Sequence, residues 1–259
     1  MKKGLTLAVI VLLAAGLLSS CFSVKLPQKD IPVIAAEPSP VPSQMSTPVP
    51  SSAPTPIPAL TSSPAPSPTP ALSTQQDNTL IVANMDMILK YPDGWTVLTN
   101  DQINQFYAKN IEFLKSQFTD SQAFENAVQE NIPISVAMKH PMDYTIGFNA
   151  TINVLVKPVP AFLTKDIVAL AKEAINVAKS SVSADVTFSK PVKAKIGKRN
   201  GAMCDIKYKA LGLTIDESQY YIAKDGYVAI ITCAWMDKAD KKVLQSIIKS
   251  IQFDADWGL

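Results

Sequence analysis

Proline holds φ near −65° and has no backbone N–H, so a stretch dense in proline builds neither a helix nor a sheet. In this chain fourteen of the 20 prolines fall between Pro27 and Pro70, and the other six are spread over everything beyond Asn78. Runs such as Pro38-Ser39-Pro40-Val41-Pro42 and Pro64-Ala65-Pro66-Ser67-Pro68 favour extended, solvated backbone, and no charged residue occurs between Pro38 and Gln76. Residues 21–78 are therefore expected to be a disordered Pro/Ser/Thr-rich linker, reaching at most about 180 Å at about 3.1 Å per residue. A ligand for a proline-recognition domain is the sharper alternative to a spacer. The chain thus divides into an apolar leader, a tether and a remainder, residues 79–259, whose length suits one domain. With 47% hydrophobic residues that remainder can bury a core, and a formal charge of +2 lacks the basic excess of a nucleic-acid-binding domain.

Lys2 and Lys3 precede an apolar run from Leu5 to Leu18. As a helix it would rise about 21 Å against a bilayer core of about 30 Å, which favours a signal peptide over a spanning segment. The run ends in Leu18-Ser19-Ser20-Cys21, which resembles the lipobox of bacterial lipoprotein signals: an aliphatic residue, two small residues and a cysteine. The resemblance implies cleavage before Cys21, removal of residues 1–20 and lipidation of Cys21. The other reading is an ordinary secretory signal. Two acyl chains on one residue hold a protein on a bilayer durably. The expected location is the extracytoplasmic face of the cell membrane, with the membrane as partner through the N-terminal lipid.

Beyond the tether the periodicities are mixed. Ile81 to Tyr91 runs through the turn signal Pro92-Asp93-Gly94 into Trp95 to Leu98, predicting two extended segments tightly joined. Ile103, Phe106, Tyr107, Ile111, Leu114 and Phe118 have helical spacing, and Thr119 to Gln122 has the pattern that opens a second short helix through Glu130. Ile134 to Met138 and Phe148 to Val156 read as strands. Thr164 is a candidate cap for a helix with the apolar stripe Ile167, Leu170, Ala171, Ala174, Ile175, Ala178 and Val182. Strands follow at 185–196, 202–210, 215–223 and 227–235, and the last is apolar on both faces, as in a covered central strand. Asp237 can cap a closing helix with Val243, Leu244, Ile247, Ile248 and Ile251 on its apolar face.

The Tyr91-Pro92-Asp93-Gly94-Trp95 junction, the strand Phe148 to Val154 and the closing Ile247 to Phe253 resemble the PsbP-like family over residues 80–255. The resemblance implies an α+β fold, an antiparallel β-sheet with helices packed on it as an α/β/α sandwich. It also implies a domain that serves as an adaptor and not as a catalyst. The helical stretch 101–131 looks longer than the family's usual insertion there.

Few residues gather into reactive patterns. His140 is the only histidine, which excludes a multi-histidine zinc site and suits a solvated loop position better than a metal ligand or base. Asp254 with Asp256, and Asp237 with Asp240, read as a tail and a helix start more simply than as a calcium site. Nine glycines form no phosphate loop. No cofactor and no metal are expected. Cys204 and Cys233 are the thiols of the domain, read either as a disulfide between two strands or as two buried small side chains. Lys190, Lys193, Lys195, Lys198, Arg199, Lys207 and Lys209 face Asp205 alone. Lys193, Lys195, Lys207 and Lys209 are the candidates for a basic face on two strands, suited to an anionic wall polymer or lipid headgroups, against the alternative of edge protection and solubility.

The leading expectation is a membrane-anchored surface lipoprotein whose domain is a non-enzymatic binding or assembly module, with a cell-envelope protein or anionic wall polymer as partner and no nucleic acid. The alternatives are an extracytoplasmic ligand-binding receptor or hydrolytic enzyme, using an aspartate pair with Tyr220 or Tyr221 in a cleft, and a tethered sensor or stress-response factor.

Overall fold

The computed structural model describes residues 73–115, 131–142, 148–181, 186–210 and 213–253, all within one compact unit. Twelve strands and three α-helices are seen among the described residues. The expected second short helix through Glu130, the Asp254 and Asp256 tail, and Cys21 lie outside them.

The first segment already departs from expectation. Strand β1, Ser73–Gln76, lies before the expected domain start at residue 79 and pairs antiparallel with β2, Thr79–Val82. The run 81–91 is not one strand. It breaks at a 3₁₀ turn, Ala83–Met85, and at Asp86 with φ 46°, then doubles back as β3, Met87–Lys90, against β2. The Pro92-Asp93-Gly94 turn does follow, closed by Trp95 N–H donating to Pro92 O at 3.2 Å. Yet it joins two different sheets, because β4, Thr96–Val97, pairs with β5, Ser135–Met138. Helix α1, Asn100–Lys115, starts at a reciprocal cap in which Thr99 N–H donates to Gln102 Oε1 and Gln102 N–H to Thr99 Oγ1.

The large sheet continues through β6, Thr151–Pro158; β7, Thr187–Phe188; β8, Val192–Ile196; β9, Arg199–Ala210; β10, Leu213–Lys224; and β11, Tyr227–Trp235. Its order is β4-β5-β6-β11-β10-β9-β7, with β8 also on β9, and every pairing is antiparallel. Strand β11 sits between β6 and β10 with eight of its nine residues buried, as its two apolar faces require. Pro191 falls where the single expected strand 185–196 splits into β7 and β8.

Helix α2, Ile167–Ser181, covers one face of this sheet. Leu170, Ala171, Ala174, Ile175 and Ala178 pack on Leu155, Ala202, Cys204, Ile206, Tyr221 and Ile230. Its cap is Asp166, not Thr164: Val168 and Ala169 N–H donate to Asp166 Oδ1 at 3.1 and 3.0 Å, while Thr164 Oγ1 turns back to Ala161 O within a 3₁₀ turn. A carboxylate one residue before the helix reaches the free N–H groups that Thr164, three residues before, cannot.

Helix α3, Lys238–Ser250, covers the other face, capped as expected by Asp237. It shares that layer with a second sheet, β1-β2-β3 plus β12, Gln252–Phe253. Leu80, Val82, Met87 and Leu89 of this small sheet join Leu244, Ile247 and Ile248 of α3 over Ile152, Val154, Ile222 and Ile231. The fold is thus α+β, an antiparallel sheet with helices packed on it, and one outer layer is part helix and part sheet. Side chains sealed this completely contribute about 1.5–3 kcal/mol each.

Two polar links join the sheets. Ser135 Oγ on β5 donates to Gln75 Oε1 on β1 at 3.1 Å and so accepts from Tyr91 Oη at 2.8 Å. Asp86 holds Lys224 Nζ and lies 3.5 Å from Arg199 Nη2, while Arg199 Nη1 donates to Met85 O and the guanidinium sits 4.5 Å over the Phe253 ring.

Candidate functional site

The structure separates the groups that the sequence associates. Cys204 and Cys233 are both buried free thiols. Cys204 faces α2 and Cys233 faces α3, and β10 runs between their strands, with Gln219 opposite Cys204 and Ser218 opposite Cys233. Two strand spacings are about 9–10 Å, beyond the reach of a disulfide, and the side chains point to opposite faces, so the candidate bridge does not form. Burial pushes the Cys204 thiol up to about 12, helped by the nearby Glu217 charge, and raises Cys233 further for the same reasons.

The four-lysine face is also divided. Lys193 and Lys195 sit opposite Ala202 and Asn200, on the α2 side, whereas Lys207 and Lys209 alternate with Ile206 and Tyr208 and point the other way. Lys207 pairs with Asp216 at 3.1 Å. A single basic face is therefore absent for these four residues, because they occupy both parities of the same ladder.

The carboxylates near the chain's end have structural partners. Asp237 Oδ1 accepts from Asp240 N–H at 2.7 Å, which lowers its pKa, and Asp240 Oδ1 holds Lys139 Nζ at 2.7 Å. Among the described residues no three His, Cys, Asp or Glu side chains gather closely enough to hold a metal ion. His140 is half-buried at the end of β5, its backbone N–H on Asn149 Oδ1 and its carbonyl on Asn149 Nδ2, both at 2.9 Å. Tyr220 and Tyr221 face opposite layers of β10 and are both buried, so they share no cleft. Burial raises the pKa of each.

One polar cluster escapes sequence reasoning. The registers place Asn153, Thr232, Gln219 and Cys204 abreast across β6, β11, β10 and β9, with Glu217 beside them, all on the α2 side and all essentially without exposure. Tyr221 Oη donates to Gln219 Oε1 at 2.7 Å, and Gln219 Nε2 donates to Glu217 Oε1 at 3.3 Å. Asn153 Oδ1 and Nδ2 and Thr232 Oγ1 have no protein partner. Glu217 and Gln219, two residues apart on β10, share the α2 side of that strand, while Ser218 between them points the other way. Only the strands on both sides and the covering layer bury the cluster.

The surface offers a different feature. A groove of about 360 Å³ runs between α2 and the β7–β8 connection, lined by Lys172, Asn176 and Lys179 from the helix and by Ser189 and Lys190 from the connection. Val168, Ile175 and Pro191 supply apolar lining. Among the described residues none of its three lysines pairs with a carboxylate, and Lys193 lies on the same side of the sheet. Only Lys190 of this set belongs to the lysine run read from sequence, since Lys172 and Lys179 look like the ordinary polar face of a helix. A second pocket, of about 200 Å³, lies at the start of α2 beside Phe162, Leu163 and Leu170.

No family model matches the sequence, and no curated protein does. The chain is similar to solved structures at low identity. One is a protein from Bacteroides thetaiotaomicron (8% identity, 70% of this chain and 50% of that one, TM-score 0.39), so the chain spans half of that protein's length. Another is LpqN, involved in cell envelope biogenesis of Mycobacterium tuberculosis (15% identity, 64% and 82%, TM-score 0.40). A third is cyanobacterial PsbP, CyanoP, from Synechocystis sp. PCC 6803 (8% identity, 66% and 89%, TM-score 0.40).

Proposed function

We propose that the chain is a surface lipoprotein, anchored through a diacylglyceryl group on Cys21, and that its folded domain is a non-enzymatic binding or assembly module outside the cytoplasm. The anchor rests on Lys2-Lys3, the apolar run Leu5 to Leu18 and the Leu18-Ser19-Ser20-Cys21 sequence. No helix of the described residues is long and apolar enough to cross a membrane. The observation that carries the binding role is where the polar chemistry sits. Glu217, Tyr221, Cys204 and Cys233, the groups best suited to acid–base or nucleophilic work, are at most 1% exposed. A thiol held at about 12 supplies almost no thiolate near neutral pH. The domain turns outward a lysine-lined groove, which attracts and holds anionic charge.

Labelling cells that express the chain with an alkyne-bearing palmitate analogue tests the anchor. Wild type is expected to carry label and to sediment with membranes, and Cys21→Ser to lose both. Soluble, unlabelled wild-type protein would refute it. Crosslinking in intact cells followed by identification of the attached molecule tests the module.

A further inference from the structure

Three lysines with no ion-pair partner among the described residues line one concavity. Lys139, Lys207 and Lys224 pair with Asp240, Asp216 and Asp86. Around the α2 groove Lys172, Lys179 and Lys190 have no such partner among the described residues. A concave, low-dielectric wall carrying one sign of charge focuses the field and concentrates counter-ions. Lys172 and Lys179 are seven residues apart on α2, about two turns, so their Cα atoms stand about 10 Å apart along one side of the helix. A single compact anion cannot meet both. Val168, Ile175 and Pro191 in the same lining suit a short carbon backbone, and Asn176 offers hydrogen bonds to its hydroxyls, whereas Ser189 Oγ already accepts from Asp205 N–H at 2.8 Å.

The cations are ammonium groups, point charges with freely rotating donors. Such groups hold phosphate as point charges, without the fixed bidentate geometry that arginine imposes on phosphate and carboxylate alike. We infer that this groove binds a ligand bearing two or more phosphodiester groups on a short polyol backbone. Two sources share that chemistry, a phosphodiester wall chain and a lipid headgroup with two phosphates. The inference gives a ligand to the module proposed above, and it rests on that reading only in taking the domain to bind and not to react.

The test uses the purified full chain in neutral detergent. It is titrated at low and moderate salt with a polyglycerol-phosphate oligomer, with deacylated cardiolipin as the isolated two-phosphate headgroup, and with polyglutamate of equal charge. Saturable binding of the oligomer, of the headgroup or of both is expected, with affinity falling as salt rises. Binding of the oligomer alone assigns a wall chain. Headgroup binding of equal strength assigns the lipid. The triple variant K172Q/K179Q/K190Q changes only exposed side chains and should weaken binding about tenfold or more, while K207Q/K209Q, on the opposite face, should change it less than about twofold. Equal binding by the triple variant, equal binding of polyglutamate, or no binding of either phosphate ligand overturns the inference and leaves the lipoprotein reading standing. Release of free glycerol phosphate during the titration would instead refute the binding-module reading while the groove's preference survived.

Discussion

Thr232 shows how a single position can work against the fold around it. Its hydroxyl is buried in the centre of the large sheet beside Asn153, and neither side chain has a protein partner. An unsatisfied buried hydroxyl costs about 1–3 kcal/mol, and valine has nearly the same shape. Thr232→Val should therefore raise stability by about 1 kcal/mol in urea unfolding, whereas an ordinary core substitution lowers it. A clear loss would mean that the hydroxyl is satisfied in solution. The two thiols make a second residue-scale expectation. In native protein at pH 8 neither Cys204 nor Cys233 should be alkylated, because burial keeps both protonated and enclosed; after unfolding without reductant both should label, as mapped by mass spectrometry. An unlabelled Cys204–Cys233 pair in the unfolded, unreduced chain would restore the bridge.

At the scale of elements, short-range chemistry decided most of what formed. Helix α3 has its cap at Asp237 and buries Leu244, Ile247 and Ile248 as expected, but Val243 of the expected stripe is exposed and Ile251 lies one residue beyond the helix end at Ser250. Asp237→Ala should cost about 1 kcal/mol of stability, as loss of a helix cap does. The Asp240 N–H lowers the Asp237 pKa from 3.8, so the contribution is complete above that value and disappears as pH falls through the lower folded one. The gap between wild type and D237A in thermal melts should narrow as pH drops from 5 towards 3. Elements depart from expectation where two local signals compete. Thr164 and Asp166 both suit a cap, and the carboxylate adjacent to the helix prevailed. The run 81–91 carries enough apolar residues for one long strand, yet Asp86 in the left-handed region folds it into a hairpin.

At the scale of the whole molecule, the layers meet through close backbone approaches that no local pattern announces. Gly197, with φ +52°, closes the β8–β9 hairpin while donating its N–H to Ile248 O at 3.0 Å. A Cβ there would stand 2.0 Å from Ile251 O, a backbone atom at the end of α3. Gly197→Ala should cost well over 1 kcal/mol and expose both the hairpin and α3 to hydrogen exchange, since strain in φ and steric overlap add. From the sequence alone came what depends on neighbours within a few residues: the proline-dense segment, the apolar run Leu5 to Leu18 with the Leu18-Ser19-Ser20-Cys21 motif after it, most of the helix stripes, and β11 as a strand apolar on both faces. The tertiary structure alone decided the second sheet, the opposite facing of Cys204 and Cys233, the split of Lys193 and Lys195 from Lys207 and Lys209, the burial of Glu217 and Gln219, and the groove that joins Lys172 and Lys179 to Lys190. Each of these depends on strand register or on helix placement across long stretches of chain. A one-residue change of register sends every side chain to the other face, and nothing in the local alternation of residues records which register the layers select.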